Sequence, residues 1–193
     1  MPYNKEHKAQ TRARIVEAAR RMFNRHGFEQ VSIDQIMAEA GLTRGGFYYH
    51  FRSKDELYAA AVARFGEHNP HRQALQARGR MAPRELAWAL VDVYLGDGVF
   101  GDLDNHCPLY ALPGDVARAG EMPQRAYTQL VRGLLAVFEA ALADEPDGAM
   151  RAQAVVSLCV GGMVLARTTD DGALRKTLRA ASRRQALDLL GAG

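Results

Sequence analysis

The 193-residue sequence has only two cysteines, Cys107 and Cys159, and one tryptophan, Trp88. Two thiols cannot build a disulfide scaffold, and no C-x-x-C pair offers the spacing of a zinc site. A reducing, cytoplasmic setting is expected. Long apolar runs are also lacking. Even 154–166, the most hydrophobic stretch, falls short of the roughly 18–20 residues that span a bilayer, so no membrane contact is expected. The opening MPYNKEHKAQTRAR has no apolar h-region, and no secretory signal is visible. Strand-like alternation, repeats and low-complexity tracts are absent too.

What is present is charge, unevenly placed. The formal net charge is +3, too small to suggest a partner by itself. Residues 1–54 carry ten Lys/Arg against five Asp/Glu, a balance of +5; residues 55–193 carry fifteen against seventeen, a balance of −2. The basic excess lies in the N-terminal quarter, where a polyanion would be met.

The hydrophobic pattern is helical nearly throughout, and the expected fold class is all-α. In 11–26, Ile15, Ala18, Ala19, Met22 and Phe23 share one helix face, with arginines over much of the rest. Gly27 ends that helix, since glycine takes the left-handed C′ conformation at no steric cost. Ser32 followed by Gln35 is a capping-box pattern that opens a short helix carrying Ile33, Ile36, Met37 and Ala40. Gly41 makes a turn, and Thr43 is placed to cap a third helix over 44–51. Ser53 with Glu56 opens another, 54–67, which Pro70 interrupts or kinks before a continuation towards Arg78. Further helices are expected over 83–95, from Pro108, and over 122–143, 148–169 and 172–190. The Gly/Asp-rich stretch 96–105 reads as a loop.

The stretch SIDQIMAEAGLTRGGFYYHF, residues 32–51, is helix, glycine turn, helix. Phe47 and Phe51, four apart, face inward. Arg44, Gly45, Tyr48, Tyr49 and His50 are left on or near the outward side. Arg44 would bring a guanidinium fork to base edges at the helix N-terminus, and Gly45 would let backbone approach a duplex closely. The tyrosine hydroxyls and His50 can donate to phosphates, and Lys54 stands at the next helix N-terminus, where free N–H groups favour one too. Arg12 and Arg14 are further phosphate candidates.

These residues in this register resemble the TetR/AcrR family of bacterial transcriptional regulators. The pattern is Ile15, Ala18-Ala19, Phe23, Gly27-Phe28, Val31-Ser32, Ile36, Ala40-Gly41-Leu42, Phe47-Tyr48-Tyr49-His50-Phe51, Ser53-Lys54 and Leu57. The resemblance covers about the first sixty residues. It implies operator contacts at Thr43, Arg44, Gly45, Tyr48, Tyr49, His50 and Lys54. It also implies a homodimer on a palindromic double-stranded DNA operator, released by a small-molecule inducer. The expected division is a three-helix DNA-binding domain at 1–53 and a helical ligand-binding and dimerisation bundle at 54–193.

The last two helices suit self-association. The first is apolar on most sides (Val155 to Leu165) with Gly161-Gly162 permitting close approach, and the second carries Leu174, Leu178, Ala181 and Leu187. For an inducer site, the large side chains Trp88, Tyr110 and Tyr127 stand out, with His106 and Cys107. Pro108 suggests a helix start, which places Cys107 at its N-cap, where the dipole and a protonated His106 would favour thiolate. The pattern is similar to that of a TetR-family subgroup that senses electrophiles and chlorine oxidants, although His106 stands where that subgroup more usually has glycine. Cys159, in an apolar helix, reads as core.

Three other functions compete with this one. A sequence-tolerant DNA binder without inducer fits the basic flank. A divalent metal gathered by Asp102, Asp104, His106 and Cys107 is disfavoured because such loops are usually solvated, so no metal and no cofactor are expected. An enzyme using Cys107 is disfavoured because His106 is a poor base for its own neighbour and no oxyanion glycine motif accompanies it.

Overall fold

A computed structural model describes residues 2–67, 79 and 81–191. Every regular element among them is helical: α1 (Pro2–His26), α2 (Ile33–Glu39), the 3-10 helix η1 (Arg44–Tyr49), α3 (Lys54–Glu67), α4 (Pro83–Leu95), α5 (Asp97–Gly101), the 3-10 turn η2 (Leu103–Asn105), α6 (Pro108–Ala111), α7 (Pro113–Arg118), α8 (Glu121–Ala141), α9 (Gly148–Thr168) and α10 (Gly172–Leu189). The expected kink at Pro70 and continuation to Arg78 lie outside the described residues.

The described residues form two compact units. The first draws on 2–67, 103–108 and 112–130, the second on 79, 81–102, 109–111 and 131–191. Packing therefore does not divide at residue 53, because α3 packs along α1 within the first unit.

In the first unit the apolar face of α1 (Ile15, Ala18, Ala19, Phe23) is buried against Leu57, Tyr58 and Val62 of α3 and Ile36 and Met37 of α2. Phe23, Phe28 and Tyr58 form an aromatic cluster, with Phe23 edge-on to Tyr58 at 5.0 Å. Such pairs add to what burial alone contributes. The Ser32–Gln35 capping box forms as expected, with both side chains taking their backbone N–H. At 53–56 the box is shifted: Ser53 Oγ accepts from the Glu56 N–H, but Glu56 reaches the N–H of Arg52. Gly27 (φ +77°) and Gly41 (φ +66°) both take the left-handed conformation that ends a helix.

Two expectations are corrected here. The third helix is a 3-10 helix of six residues and not an α-helix to residue 51, and Thr43 makes no side-chain capping bond. Two adjacent glycines, Gly45 and Gly46, weaken α-helix formation at this point. The stretch 96–105 is also not a loop throughout, since α5 and η2 occupy most of it.

In the second unit α9 and α10 pack as an antiparallel pair. Gly162 sits so close to α10 that a Cβ there would fall 2.8 Å from Ser182 Cβ, whereas Gly161 faces open space. Arg179 ties α10 to α4 and α5: it donates to the Leu95 carbonyl (3.1 Å) and to Asp97 (2.5 Å). Arg183 reaches Asp92 of α4 at 2.8 Å. By length and mean hydropathy (1.6 over eighteen residues) α9 is apolar enough to cross a membrane, a test the run-length criterion missed. Its stripe of Val155, Cys159, Met163 and Ala166 is buried in the unit, as in a core helix.

Candidate nucleic-acid interface

The glycine turn and the tight helix after it decide which side chains of 43–54 face outward. Phe47 and Phe51 are buried, their rings 5.8 Å apart. Their burial anchors η1 and forces Tyr48 and Tyr49 into solvent, 62% and 64% exposed. Thr43, Arg44 and Gly45 are exposed as well. A Cβ at Gly45 would meet nothing within 4 Å, so the backbone there is open to close approach from outside. The half-buried His50 lies edge-on to Tyr49.

The positive charge of this face comes largely from α1. Lys8 holds its ammonium 4.2 Å above the Tyr49 ring, and Arg12 lies 4.6 Å above the Phe51 ring. Sequence reasoning singled out Arg12 but missed Lys8, because the register between α1 and η1 is a tertiary fact. The exposed Arg14 donates one guanidinium nitrogen to the Ala40 carbonyl at 2.6 Å and so caps α2. Lys54 does begin α3, but its ammonium is half-buried and lies 4.1 Å over the Phe28 ring. Burial lowers its pKa, with Glu29, Asp55 and Asp115 acting in the opposite sense.

Burial, then Lys8 and Arg12, lowers the pKa of His50 below its ordinary 6.5. Its protonation thus disfavours the folded chain, and that part of the stability, present above pH 6.5, is lost as pH falls through the lowered value. A phosphate at this face would neutralise the same cations and add negative charge beside His50, so its pKa rises on binding relative to the free chain. Affinity for duplex DNA should therefore rise severalfold between pH 8 and pH 6, and His50→Gln should flatten that dependence. Fluorescence anisotropy at constant ionic strength measures it, and an unchanged slope in the variant would remove His50 from the interface.

Arg44 is not idle in the free chain. Its guanidinium pairs with Asp34 of α2 at 2.8 Å, both side chains being more than half exposed. Such a pair contributes little stability, but it aims the guanidinium and sets a carboxylate near any phosphate. Asp34→Ala should tighten binding to random DNA and lower the preference for a selected site about fivefold, near the upper end of what an exposed pair is worth. Competition titrations with the two duplexes give the ratio; an unchanged ratio would mean that Asp34 does not position Arg44.

The inducer candidates divide between the units. His106, Cys107 and Tyr127 belong to the first, Trp88 and Tyr110 to the second. Cys107 does occupy the N-cap of α6, but that helix has four residues and the cysteine is 3% exposed. The exposed helix terminus expected to activate the thiol is therefore not present. His106 is fully buried. Cys107 lies near enough to Tyr127 that a thiolate would add to the burial that pushes the phenol up to about 12. Tyr110 lies edge-on to Tyr94 at 5.2 Å. Cys159 is buried core, its thiol pushed up to about 12. Among the described residues no group of three His, Cys, Asp or Glu side chains is arranged to hold a metal, and Asp104 is paired with Arg25 at 2.5 Å.

The segment before Cys107 is fastened to α1 by residues that no local pattern reveals. Buried Asn24 donates to the carbonyls of Asp104 (3.3 Å) and His106 (2.9 Å), Arg20 donates to the Asp104 carbonyl, and Arg25 pairs with the Asp104 carboxylate. Asp115 of α7 accepts from the Phe28 N–H at 2.9 Å.

Residues 15–61 match the family model for bacterial regulatory proteins, tetR family. The chain is 31% identical over 93 residues to the uncharacterised HTH-type transcriptional regulator YfiR of Bacillus subtilis, covering 48% of this chain and 43% of that one. It is 40% identical over 67 residues to the HTH-type transcriptional regulator TtgR of Pseudomonas putida, covering 35% and 32%. The matches thus span less than half the length of these relatives. Two solved structures share the fold over nearly the whole chain. A TetR-family regulator from Cytophaga hutchinsonii has TM-score 0.77 at 17% identity, covering 96% of this chain and 95% of its own. The reduced form of NemR from E. coli has TM-score 0.73 at 20% identity, covering 91% and 96%. With its helix-turn-helix exposed as described and its register matched from Ile15 to Ala61, the N-terminal part of this chain is similar to the tetR family of bacterial regulatory proteins.

Proposed function

We infer that the chain is a ligand-responsive transcriptional regulator, a repressor that binds a palindromic operator as a homodimer in the cytoplasm. One observation carries this reading: Arg44, Gly45, Tyr48 and Tyr49 stand exposed on a short helix whose neighbours Phe47 and Phe51 are buried, beside Lys8 and Arg12. A side-chain set that can reach base edges and phosphates together suits specific reading rather than backbone attraction alone. Residues 1–53 do the reading in this account, and 54–193 sense and dimerise. Arg44 and Gly45 address bases, while Thr43, Tyr48, Tyr49, His50 and Lys54 fix position on the backbone.

The dimer surface we assign is the outward side of α9 and α10. Ser157, Gly161 and Leu165 follow at four-residue steps, with Leu165 55% exposed, and Leu174 and Ala181 are exposed on α10. Two half-sites one helical turn apart, about 34–36 Å, require such a two-fold pair. Release follows when an inducer, or modification of Cys107, biases the dimer towards a spacing that no longer fits.

Selection of bound duplexes from a random-sequence pool is the decisive experiment. A recovered inverted repeat supports the reading; an unenriched pool with steep salt dependence would show a sequence-tolerant binder instead. For the thiol, operator release is followed while an electrophile is titrated, and equal release in Cys107→Ser would remove the cysteine from the mechanism. The relatives named as transcriptional regulators support a binding protein rather than an enzyme.

A further inference from the structure

Among the described residues the two buried arginines both have anionic partners. Arg20, 8% exposed, donates to Glu17 at 2.7 Å and to the Asp104 carbonyl. Arg179, 6% exposed, donates to Asp97 and to the Leu95 carbonyl, and its guanidinium lies 4.4 Å over the Phe100 ring. Among the described residues Arg167 of α9 has no such partner. It is half-buried, its terminal Nη1 is fully buried, and that nitrogen donates to nothing.

Its position makes this unusual. Arg167 lies one turn beyond Met163, which is fully buried, and so continues the inward stripe of α9. Exposed Leu165, two residues back, points about 200° away around the helix. The guanidinium faces inward, 5.7 Å from the ring of buried Tyr110, which in turn lies edge-on to Tyr94 of α4. The carbonyl-rich end of α9 does not supply the missing acceptor. The Thr168 hydroxyl donates to the carbonyls of Val164 and Leu165, and Arg175 takes the Thr169 carbonyl at 2.7 Å. Burial lowers the Arg167 pKa, only Tyr110 acts against it, and no carboxylate contributes.

A half-buried cation on an apolar stripe with an unused buried donor carries a desolvation cost that, among the described residues, only the Tyr110 ring offsets. An oxyanion would offset it through a charge-assisted bond, and a planar apolar body would suit the Tyr110 ring beside it and the Tyr94 ring that packs on Tyr110. We propose that Arg167, with Tyr110 and Tyr94, forms the anchor of a site for a small organic carboxylate bearing an aromatic or similarly flat apolar group. It rests on the regulator reading only in making that carboxylate the inducer; binding itself does not depend on DNA.

The experiment uses the full chain without DNA. Benzoate, salicylate and cinnamate are each compared with the corresponding primary amide and with inorganic phosphate, by thermal shift and titration calorimetry. At least one carboxylate should stabilise the protein while its amide and phosphate do not, and Arg167→Gln should weaken that binding about tenfold or more, as loss of a charged hydrogen bond implies. Carboxylate and amide acting alike, phosphate acting as well as the carboxylates, or no stabilisation by any of the three would overturn the proposal. Arg167→Met supplies a second reading without ligand. Removing a half-buried charge without a counter-charge should leave the melting temperature level or higher; a fall of several degrees would mean that the guanidinium already has its partner. Arg167→Gln should still bind the selected duplex but no longer release it with the carboxylate. Failure of the wild type to select any duplex would sink the regulator reading and leave the anion result standing.

Discussion

Phe47→Ala should destabilise the first unit by about 3–5 kcal/mol, the range for removing a fully buried aromatic side chain. Phe47 is 0% exposed, packs edge-on against Tyr48 at 5.1 Å and lies 5.8 Å from Phe51. Its loss leaves a cavity beneath a helix of six residues whose own backbone bonds cannot hold it in place. Because folded domains have only about 5–15 kcal/mol in hand, the variant should melt far below the wild type. It should also lose DNA binding at temperatures where α9 and α10 remain helical. Circular dichroism melts combined with hydrogen exchange over 33–51 measure this. A melt within a degree of the wild type would show that η1 does not depend on its buried ring.

Arg44→Ala should cost about 1–3 kcal/mol of affinity at particular base pairs of the selected site and little on random DNA, the signature of lost base reading. Its guanidinium is exposed and held only by Asp34, so the substitution leaves the fold intact and the melting temperature unchanged. That separates it from Phe47→Ala, which removes binding through folding. Affinities for a series of single-base variants of the selected duplex give the measurement. If every duplex weakened by the same factor, Arg44 would be a backbone contact and base reading would fall to other residues. The Asp34→Ala variant serves as a partner test, since an Arg44 that reads no base has no specificity for Asp34 to steer.

Much of this was legible in the sequence, for a local reason. A helix face, a capping box and a glycine turn are set by residues a few positions apart. Ser32 with Gln35, Gly27, Gly41, and the burial of Phe47 and Phe51 could therefore be read directly. Where local signals compete, the reading slipped. Two glycines in 44–49 favoured a tighter helix over a full α-helical turn, and the Gly/Asp content of 96–105 concealed α5 and η2.

The cysteine shows the other limit. Pro108 correctly placed Cys107 at a helix N-cap, but exposure is not a local property. The thiol is 3% exposed, and the approach to it is fixed by Asn24, Arg20 and Arg25, some eighty residues earlier in the chain. Arginine count had the same blind spot. Arg12, Arg14, Arg20 and Arg167 look alike in a sequence, yet one stacks on Phe51, one caps α2, one is salt-bridged in the interior and one lacks an acceptor.

The sequence by itself therefore determined the all-α class, the helix-turn-helix register and the outward set Arg44, Gly45, Tyr48 and Tyr49, because each follows from spacing along a single helix or turn. Only the tertiary structure decided that Lys8 joins that face, that Arg14 caps α2, that Asp34 holds Arg44, and that half-buried Arg167 has an unpaired buried nitrogen. Those facts are relations between elements distant in the chain. Charge pairing and burial depend on which surfaces meet, and that is settled by packing the whole unit rather than by any stretch of it.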